Sequence, residues 1–449
     1  MVEEEKVKVK EDSLAGAELE KAAEAESKED SKAKPSKEDL KKLLLEKAAK
    51  LKSKVEGGAD SAALKEEIKA KKKADMLVPL EEYVKTGIYL GTRVVTPDMK
   101  QYVYRRRADG LAIFNTDLID EKLKAKLAGL KLIDKGIFFA HRDLDKILKK
   151  EFAIVSGRGP SAKITLAHLQ IFKFVKDMQD KFGCRVFIPF SDDEKFLFNQ
   201  KLSYEESKRL AYENALDIIA LGFDPKKTEI IIDFENMNQE LYNLSMRCAK
   251  TLTNNTVRSA FGFTGDKNVG INFYPAMQAA HILYPTLKYG VPTIVPIGVD
   301  QDVFIKLTRD IAHKLKLQKP GDILSKFIPS LEGTSKMSAS NPNSAIYSDD
   351  SMKDIEKKLK KSFSGGRETL EEHRKYGGNP DVDVCYQYLD LFLEDDEKKL
   401  KEIHDSYKSG ELTTGDLKKY TIKKAQDYLK EHQKKREKAK KLLPKFLKS

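Results

Sequence analysis

The hydrophobic and polar positions of this chain divide it into a charged N-terminal part, a part in which strands and helices alternate, and a helical C-terminal part. Four apolar runs, each followed by a helical pattern, predict buried strands: FAIV at 152–155, VFIPF at 186–190, TEIIIDF at 228–234 and TIVPIGV at 293–299. Strands separated by helices are typical of a parallel, doubly wound α/β sheet. We assign this sheet to residues 131–352, and the basic helical patterns of 353–449 to a separate all-α domain.

The N-terminal part predicts little globular structure. Residues 1–37 consist mainly of Glu, Lys, Ala and Ser, with too few large apolar side chains to offset the entropy lost on ordering, so we expect a disordered tail. Residues 38–73 are helical in pattern and are interrupted by Gly57-Gly58 and Asp60-Ser61, which predicts a hairpin of two helices. The basic face of this hairpin suits either nucleic-acid binding or a solvated spacer.

Residues 74–130 mix strand-like runs (YVYRR, LAIF) with turn signals. They contain LVPLEEY, a Gly-Thr pair, an Asp-Met pair, a Tyr-Arg pair and DGL. With these features the segment resembles the N-terminal part of the archaeal and eukaryotic small-subunit ribosomal protein two. The resemblance covers only residues 75–127 and lacks the rest of that fold, so we transfer no ribosomal function from it.

Composition narrows the class of protein. The 449 residues carry a net charge of +12, with a pI of about 9.1, which favours a polyanionic partner but also fits a well-solvated surface. Cys184, Cys248 and Cys385 lie far apart and form no CxxC pair, so we expect neither a zinc site nor a disulfide framework. The sequence contains no apolar run long enough to span a bilayer and no secretory signal, which predicts a cytoplasmic protein.

The first candidate site is the loop SGRGPS at 156–161, which follows the strand FAIV. In a parallel sheet, ligands bind where strands end and helices begin. Gly157 and Gly159 permit close approach of the backbone to a ligand, and the next helix offers N-terminal amides to negative charge. Thr165 and His168 lie three residues apart on one face of that helix, where both can donate to phosphate oxygens. For His168 taken alone, the simpler explanation is a histidine of the core whose ring nitrogen is hydrogen-bonded within the protein.

The second candidate site is the stretch GTSKMSAS, which places Lys336 among small hydroxyl residues. Small, flexible, hydroxyl-bearing neighbours allow a loop to close over a polyanion and to bring one ammonium group to it. A nucleotide that loses pyrophosphate needs such a cation, because negative charge grows on the leaving group in the transition state. Without further support, the stretch also fits any mobile surface loop.

Together the two stretches resemble the paired ATP-binding signatures of class I aminoacyl-tRNA synthetases. Further stretches, in the same order, resemble the archaeal and eukaryotic tryptophanyl-tRNA synthetases over roughly residues 130–445: GIFFAHRDLDKIL, SDDEKFLF, FGFTG, YPAMQAA, VDQDVFIKLTRD, SKMSASNPNSAIY and SGGRETLEEHRKYGGNPDVDV. The resemblance implies a Rossmann-like catalytic domain, an anticodon-binding helical domain, and ligation of tryptophan to tRNA through an aminoacyl-adenylate. It also implies ATP with Mg²⁺, tRNA as partner, a homodimer, and no protein metal ligand.

The resemblance assigns roles residue by residue. The positions expected to contact the reacting phosphates are Thr165, His168, Lys336 and Ser338. The further ATP-binding positions are Gly157, Gly159, Ala167, Gly298, Asp300 and Met337. The amino-acid-binding positions are Val155, Pro189, Glu194, Lys195, Gln278 and Gln301, of which the two glutamines would hold the amino group. Asp383 would take part in anticodon binding.

The sequence departs from the family at positions that affect specificity. Val155 and Pro189 stand where the family has a tyrosine and a glutamine that bond the indole N–H, and an apolar replacement costs about 1–3 kcal/mol. Ala167 replaces the signature glycine under the adenine, and the chain contains no tryptophan, so the family's Val-Asp-Pro-Trp hairpin is absent. Two alternatives therefore stay open: a synthetase of altered specificity, and an inactive paralogue that binds RNA or the ribosome.

Overall fold

Strands of the central sheet occupy the middle of the chain. The computed structural model describes residues 104–106, 112–114 and 116–447, with gaps at 264, 266, 299–300, 334–336 and 338–342. The predictions for residues 1–73 and for most of 74–115 therefore lie outside the described residues. The strands are β1 (Tyr104–Arg106), β2 (Ala112–Phe114), β3 (Asp117–Leu118), β4 (Phe138–Arg142), β5 (Ala153–Val155), β6 (Arg185–Phe190), β7 (Thr228–Ile232), β8 (Thr293–Gly298) and β9 (Gly321–Ser325).

Strands β1 and β2 pair as antiparallel neighbours, which confirms the described parts of the strand-like runs YVYRR and LAIF. The other strands form one sheet in the order β3-β4-β9-β8-β5-β6-β7. Strands β9, β8, β5, β6 and β7 are parallel to one another, whereas β4 is antiparallel to both β9 and β3. The four predicted strands are thus confirmed as β5 to β8, and the sheet is parallel at its centre and mixed at one edge.

Helices connect and cover these strands. Those before residue 315 are α1 (Glu121–Leu127), α2 (Lys131–Asp134), α3 (Leu144–Ile147), α4 (Leu166–Phe182), α5 (Asp192–Phe198), α6 (Tyr204–Ile219), α7 (Asp233–Asn236), α8 (Gln239–Lys250), α9 (Asn254–Phe261), α10 (Val269–Tyr289) and α11 (Asp302–Lys314). Those after residue 350 are α12 (Met352–Lys360), α13 (Leu370–Tyr376), α14 (Val384–Tyr388), α15 (Glu397–Ser409) and α16 (Thr414–Ala439), with a π turn at Leu389–Leu393 and a 3₁₀ turn at Leu443–Lys445.

Two hydrophobic cores lie on the two faces of the sheet, because successive strand residues point to opposite faces. Ile154 of β5 and Ile230 of β7 belong to the first core, which also contains side chains of α4 and α6. Val155 and Ile231, their neighbours in sequence, belong to the second core, against α8, α10 and α11. This three-layer arrangement is the α/β fold that the alternating pattern predicts.

The C-terminal helices pack against the first face of the sheet and share its core. The backbone N–H of Ile230 donates to the carbonyl of Phe446 at 2.9 Å, and His432 of α16 contacts Asp217 of α6 at 2.9 Å. The sequence predicts a separate all-α domain here. The described residues from 353 onward contain helices and no strand, as predicted, but their core is continuous with that of the sheet.

Residues 117–127 also pack with the sheet, although the sequence assigns them to the preceding segment. Strand β3 pairs with β4, and Leu123 and Leu127 of α1 are buried in the first core.

Within the part of the chain described, no helix is both long and apolar enough to cross a bilayer.

Candidate active site

The candidate site lies where the order of the sheet reverses. From β5 the chain continues outward to β6 and β7, and then returns to the other side of β5 to form β8 and β9. Ligands of doubly wound sheets bind at such a switch point, beside the carboxyl ends of the strands. A cavity of about 370 Å³ opens there, lined by the ends of β5, β6 and β8 and by side chains of α5 and α10.

The loop SGRGPS forms one wall of this cavity, and its glycines are required by close packing. A Cβ atom on Gly157 would lie 2.7 Å from the carbonyl oxygen of Pro189, and one on Gly159 would lie 1.9 Å from Cε of Lys195. The sequence predicts that these glycines let the backbone approach a ligand. The structure shows that they first let the loop approach the end of β6 and the side chains of α5.

Arg158 braces the same loop from inside. Its backbone N–H donates to the carbonyl of Pro189 at 2.9 Å, and its Nη2 donates to the carbonyls of Ala162 and Lys163 at 3.3 and 3.2 Å. Burial lowers the pKa of this guanidinium to about 10. Sequence reasoning missed this residue, because its role depends on contacts with carbonyls that no side-chain pattern reveals.

The cavity collects the residues that the sequence predicts to bind the amino acid. All of them line it: Val155, Pro189, Glu194, Lys195, Gln278 and Gln301. Aromatic side chains that sequence reasoning did not single out form a second wall: Phe198, Phe261, Phe263, Tyr274 and Phe304. The cavity therefore combines polar side chains with flat apolar surfaces, which is the composition expected of a small-molecule site.

Several polar side chains of the cavity are already oriented by protein partners. Oε1 of Glu194 lies 2.8 Å from Nζ of Lys195, and Oε1 of Gln278 accepts the hydroxyl proton of Tyr274 at 2.5 Å. The amide nitrogen of Gln278 can donate its two hydrogens to acceptor groups of a ligand. The second lone pair of Oε1 can accept a hydrogen bond from an ammonium group.

A buried ionic network supports Gln301. Arg142 of β4 forms a two-pronged contact with Asp302, the first residue of α11, with Nη2 2.9 Å from Oδ2, and also contacts Asp322 of β9. Burial opposes the charge on Arg142, but the carboxylates of Asp322 and Asp302 outweigh it and raise the pKa of the guanidinium. The network fixes the start of α11, where Gln301 lines the cavity. Asp300 lies outside the described residues.

The TLAH residues, 165–168, lie at the start of α4, on the first face of the sheet. Thr165 is the N-cap of the helix rather than a residue on its face, and its Oγ1 lies 2.6 Å from Nδ1 of His168. The backbone N–H of His168 also donates to Oγ1, at 3.4 Å. Thr165 is fully buried, while Ala167 and His168 are half-buried. The hydroxyl therefore orients the imidazole, which corrects the expectation that both side chains donate outward.

The segments that flank the KMSAS loop are fastened beside the start of α4. The N–H of Leu166 donates to the carbonyl of Ile346 at 2.8 Å, and the N–H of Ser348 donates to that of Ile164 at 3.0 Å. Met337 donates to the carbonyl of Ile328 at 3.1 Å and is 2% exposed in the first core. The side chain of Met337, predicted to bind ATP, is thus directed into the core. Lys336 and Ser338 lie outside the described residues.

A buried carboxyl cluster lies behind the cavity. Oxygens of Asp192, Asp193 and Asp233 all lie within 4.8 Å of one another, and Nε2 of His281 lies 2.8 Å from Oδ1 of Asp233. Burial, together with the carboxylate of Asp233, raises the pKa of Asp193 to about 8, and burial raises that of Asp192 to about 6. Carboxyl groups at this spacing keep a proton between them, and that proton accounts for the cluster without a cation.

The remaining predicted residues have clear positions. Gly298 is the last residue of β8 and pairs with Ser325 of β9, next to the cavity. Asp383, predicted to take part in anticodon binding, is fully buried and caps α14. Its role in RNA binding stays a prediction, which the geometry restricts to an indirect one.

A glycine loop after the central strand, a polar and aromatic cavity at the switch point, and a second loop fastened at the start of α4 define a nucleotide-binding α/β enzyme. The family model described as tRNA synthetases class I (W and Y) matches residues 148–430. The tryptophan--tRNA ligase of Sulfurisphaera tokodaii is 44% identical over 346 residues, which are 74% of this chain and 90% of the relative. This chain belongs to the class I tRNA synthetase (W and Y) family.

Further relatives and a solved structure agree with this assignment. The tryptophan--tRNA ligase of Pyrobaculum calidifontis is 46% identical over 315 residues, which are 69% of this chain and 84% of the relative. The tryptophanyl-tRNA synthetase of Giardia lamblia superposes with a TM-score of 0.68 at 35% identity, and the match covers 74% of this chain and 94% of that one. The chain therefore covers most of the length of these synthetases.

Proposed function

We propose that this protein is an ATP-dependent ligase that attaches tryptophan to its tRNA. The observation that carries the proposal is the cavity at the switch point, because one wall is aromatic and the other holds the polar side chains that the family uses for the amino acid. A flat aromatic wall favours a ring-bearing side chain. The relatives named above carry the same activity in their names.

The first step joins the amino acid to AMP. The carboxylate of tryptophan attacks the α-phosphorus of ATP, a new bond forms between oxygen and phosphorus, and the bond to the β-phosphate breaks to release pyrophosphate. This step needs positioning and charge rather than a protein base. Gln278 and Gln301 orient the amino group, while His168 and Lys336 contact the phosphates.

Mg²⁺ accompanies the nucleotide. This ion prefers oxygen ligands and is usually held through nucleotide phosphates with few protein groups. Beside the start of α4 the chain offers the imidazole of His168, which Oγ1 of the buried Thr165 orients, and this fits an ion that arrives bound to ATP. When bound, the ion neutralises phosphate charge, and Lys336 then adds one ammonium to the leaving pyrophosphate.

In the second step a ribose hydroxyl at the 3′ end of tRNA attacks the carbonyl carbon of the adenylate, and AMP leaves. The C-terminal helices α12 to α16 carry the basic residues that would bind tRNA phosphates. We place the reaction in the cytoplasm and expect a homodimer. Light scattering of the purified protein measures the oligomeric state, and a monomeric mass under assay conditions would contradict the expected dimer.

Exchange of labelled pyrophosphate into ATP, measured with each of the twenty amino acids, tests the first step. We expect exchange with tryptophan, loss of exchange in Lys336→Ala, and retention of tryptophan binding in that variant. Charging of total tRNA with labelled tryptophan tests the second step. A folded protein that exchanges with no amino acid is the inactive paralogue, and a clear preference for another amino acid identifies altered specificity, the alternative that Val155 and Pro189 suggest.

A further inference from the structure

Part of the cavity's lining is apolar. Val155, Pro189 and Val295 line it from the ends of β5, β6 and β8, and Ile282 and Ile305 line it from the helices that cover the second face. All of these except Pro189 belong to the second core. An indole ring suits such surfaces, except at its N–H group. A buried N–H without an acceptor loses its hydrogen bond to water and gains nothing in return.

His281 brings a polar atom to the same cavity. It lies one turn after Gln278 on α10, so both side chains project from one face of the helix. The residue is 4% exposed, and its Nε2 lies 2.8 Å from Oδ1 of Asp233. Among the described residues no contact to the other ring nitrogen, Nδ1, is present.

The partner of Nε2 decides which ring nitrogen can accept. Asp233 directly follows β7 and lies two residues after Ile231, so it is on the same face of the sheet, toward the second core. The carboxyl of Asp193 lies beside it, and burial raises the pKa of both groups, so the pair shares a proton. With that proton on Asp193, Asp233 accepts the hydrogen of Nε2 of His281, and Nδ1 then has a lone pair.

The charge state of the ring agrees with this tautomer. Burial lowers the pKa of His281 to about 4, although the acidic groups of Asp193 and Asp192 oppose the shift. The imidazole is neutral at physiological pH, and a neutral ring with a hydrogen on Nε2 is an acceptor at Nδ1.

We propose that Nδ1 of His281, oriented by Asp233, accepts the indole N–H of tryptophan in this cavity. The inference rests on the proposed function and deepens it, because it names the group that recognises the substrate ring. It explains how a pocket with Val155 and Pro189 in its floor can select an indole over rings that lack the N–H group.

The test compares tryptophan with β-(3-benzothienyl)alanine, in which sulfur replaces the indole N–H with little change in shape. Both substrates are measured by pyrophosphate exchange with the full-length protein. The original chain should prefer tryptophan in kcat/KM by roughly ten- to a hundredfold, the worth of a buried hydrogen bond that the analogue cannot make. His281→Leu should lose most of this preference, because tryptophan activity falls while analogue activity is kept.

Two further variants separate the hydrogen bond from packing. His281→Asn keeps an acceptor near the position of Nδ1, and we expect it to retain part of the preference for tryptophan. Ile282→Val removes one methyl group from the same wall, so it should weaken both substrates by the same factor and leave their ratio unchanged. Thermal unfolding of each variant identifies any that fail to fold.

The outcomes are distinguishable from those of the proposed function. If the original chain shows no exchange with tryptophan, the proposed function fails. If the original chain exchanges tryptophan and prefers it to the analogue, but a folded His281→Leu keeps the same preference, another acceptor reads the indole and this inference is wrong.

Discussion

Asp383 offers the sharpest test of how the helical region works, because its carboxylate is fully enclosed. Oδ1 accepts from the backbone N–H groups of Cys385 and Tyr386 at 2.9 and 3.2 Å. Oδ2 accepts from the N–H of Gly365 and the hydroxyl of Tyr407, both at 2.9 Å. The carboxylate thus ties the start of α14 to the loop SGGR and to α15, and at 0% exposure it cannot touch a nucleotide.

The loss of stability expected on replacing Asp383 can be estimated from these four hydrogen-bond donors. Asp383→Ala removes an N-cap, which costs about 0.5–2 kcal/mol, and leaves the partly buried N–H of Gly365 without its acceptor, which costs about 1–3 kcal/mol. Tyr407 loses less, because hydroxyls of Ser364 and Thr414 lie 3.2 and 3.1 Å from its oxygen. We therefore expect a loss of roughly 3–4 kcal/mol in the free energy of unfolding for Asp383→Ala, and about half of that for Asp383→Asn, which keeps one acceptor oxygen.

Urea unfolding at neutral pH measures both losses, with Asp381→Asn as the matched control. The side chain of Asp381, two residues earlier, is 82% exposed, so this variant should change the free energy of unfolding by less than about 0.5 kcal/mol. In folded Asp383→Asn we expect pyrophosphate exchange to stay normal while tRNA charging falls, because the loop moves. Unchanged urea midpoints for Asp383→Ala would refute the reasoning.

Three further predictions concern the catalytic region. Burial raises the pKa of Asp193 to about 8, so between about pH 4 and pH 8 the folded chain keeps a proton that the unfolded chain has lost. The free energy of unfolding should therefore fall as the pH rises through this range. Asp193→Asn should flatten the thermal unfolding midpoint over the same range. Arg142→Met leaves two carboxylates buried without their cation, so it should cost about 3–5 kcal/mol in urea unfolding and raise the KM for tryptophan through Gln301. In Gly159→Ala the new methyl group would lie 1.9 Å from Cε of Lys195, so the loop must move. We expect kcat/KM, measured by pyrophosphate exchange, to fall at least tenfold. An unchanged kcat/KM would show that the contact is not rigid.

The central strands were predictable because they are buried on both faces and read as continuous apolar runs. Strands β4 and β9 were not, because each carries charged residues inside the sheet. Arg142 ends β4 and Asp322 lies within β9, and the two neutralise each other only when the strands are adjacent. A sequence pattern cannot distinguish such a buried pair from a pair of exposed charges, since the distance between them is 180 residues along the chain.

The predicted amino-acid-binding residues do line the cavity, and they came from the family resemblance, because its short motifs contain them. The residues that hold those motifs in place were missed. Arg158 braces the glycine loop through backbone carbonyls, and Asp233 reaches His281 across 48 residues of sequence. These contacts depend on which strands are neighbours and on which face each residue points to, and both facts come only with the order of the sheet.

The site is built from two parts that differ in how they are held. The cavity proposed to bind the amino acid is fixed by strand ends, by close-packed glycines and by buried ionic groups, so substitutions there should act mainly on amino-acid affinity and selectivity. In the proposed mechanism the phosphates are bound by His168 at the start of α4 and by Lys336, which directly precedes Met337 in sequence; the N–H of Met337 and the carbonyl of Ile346 are both hydrogen-bonded to neighbouring segments. Substitution of Lys336 should therefore act mainly on kcat, because a cation that stabilises the leaving pyrophosphate binds it more strongly as charge develops.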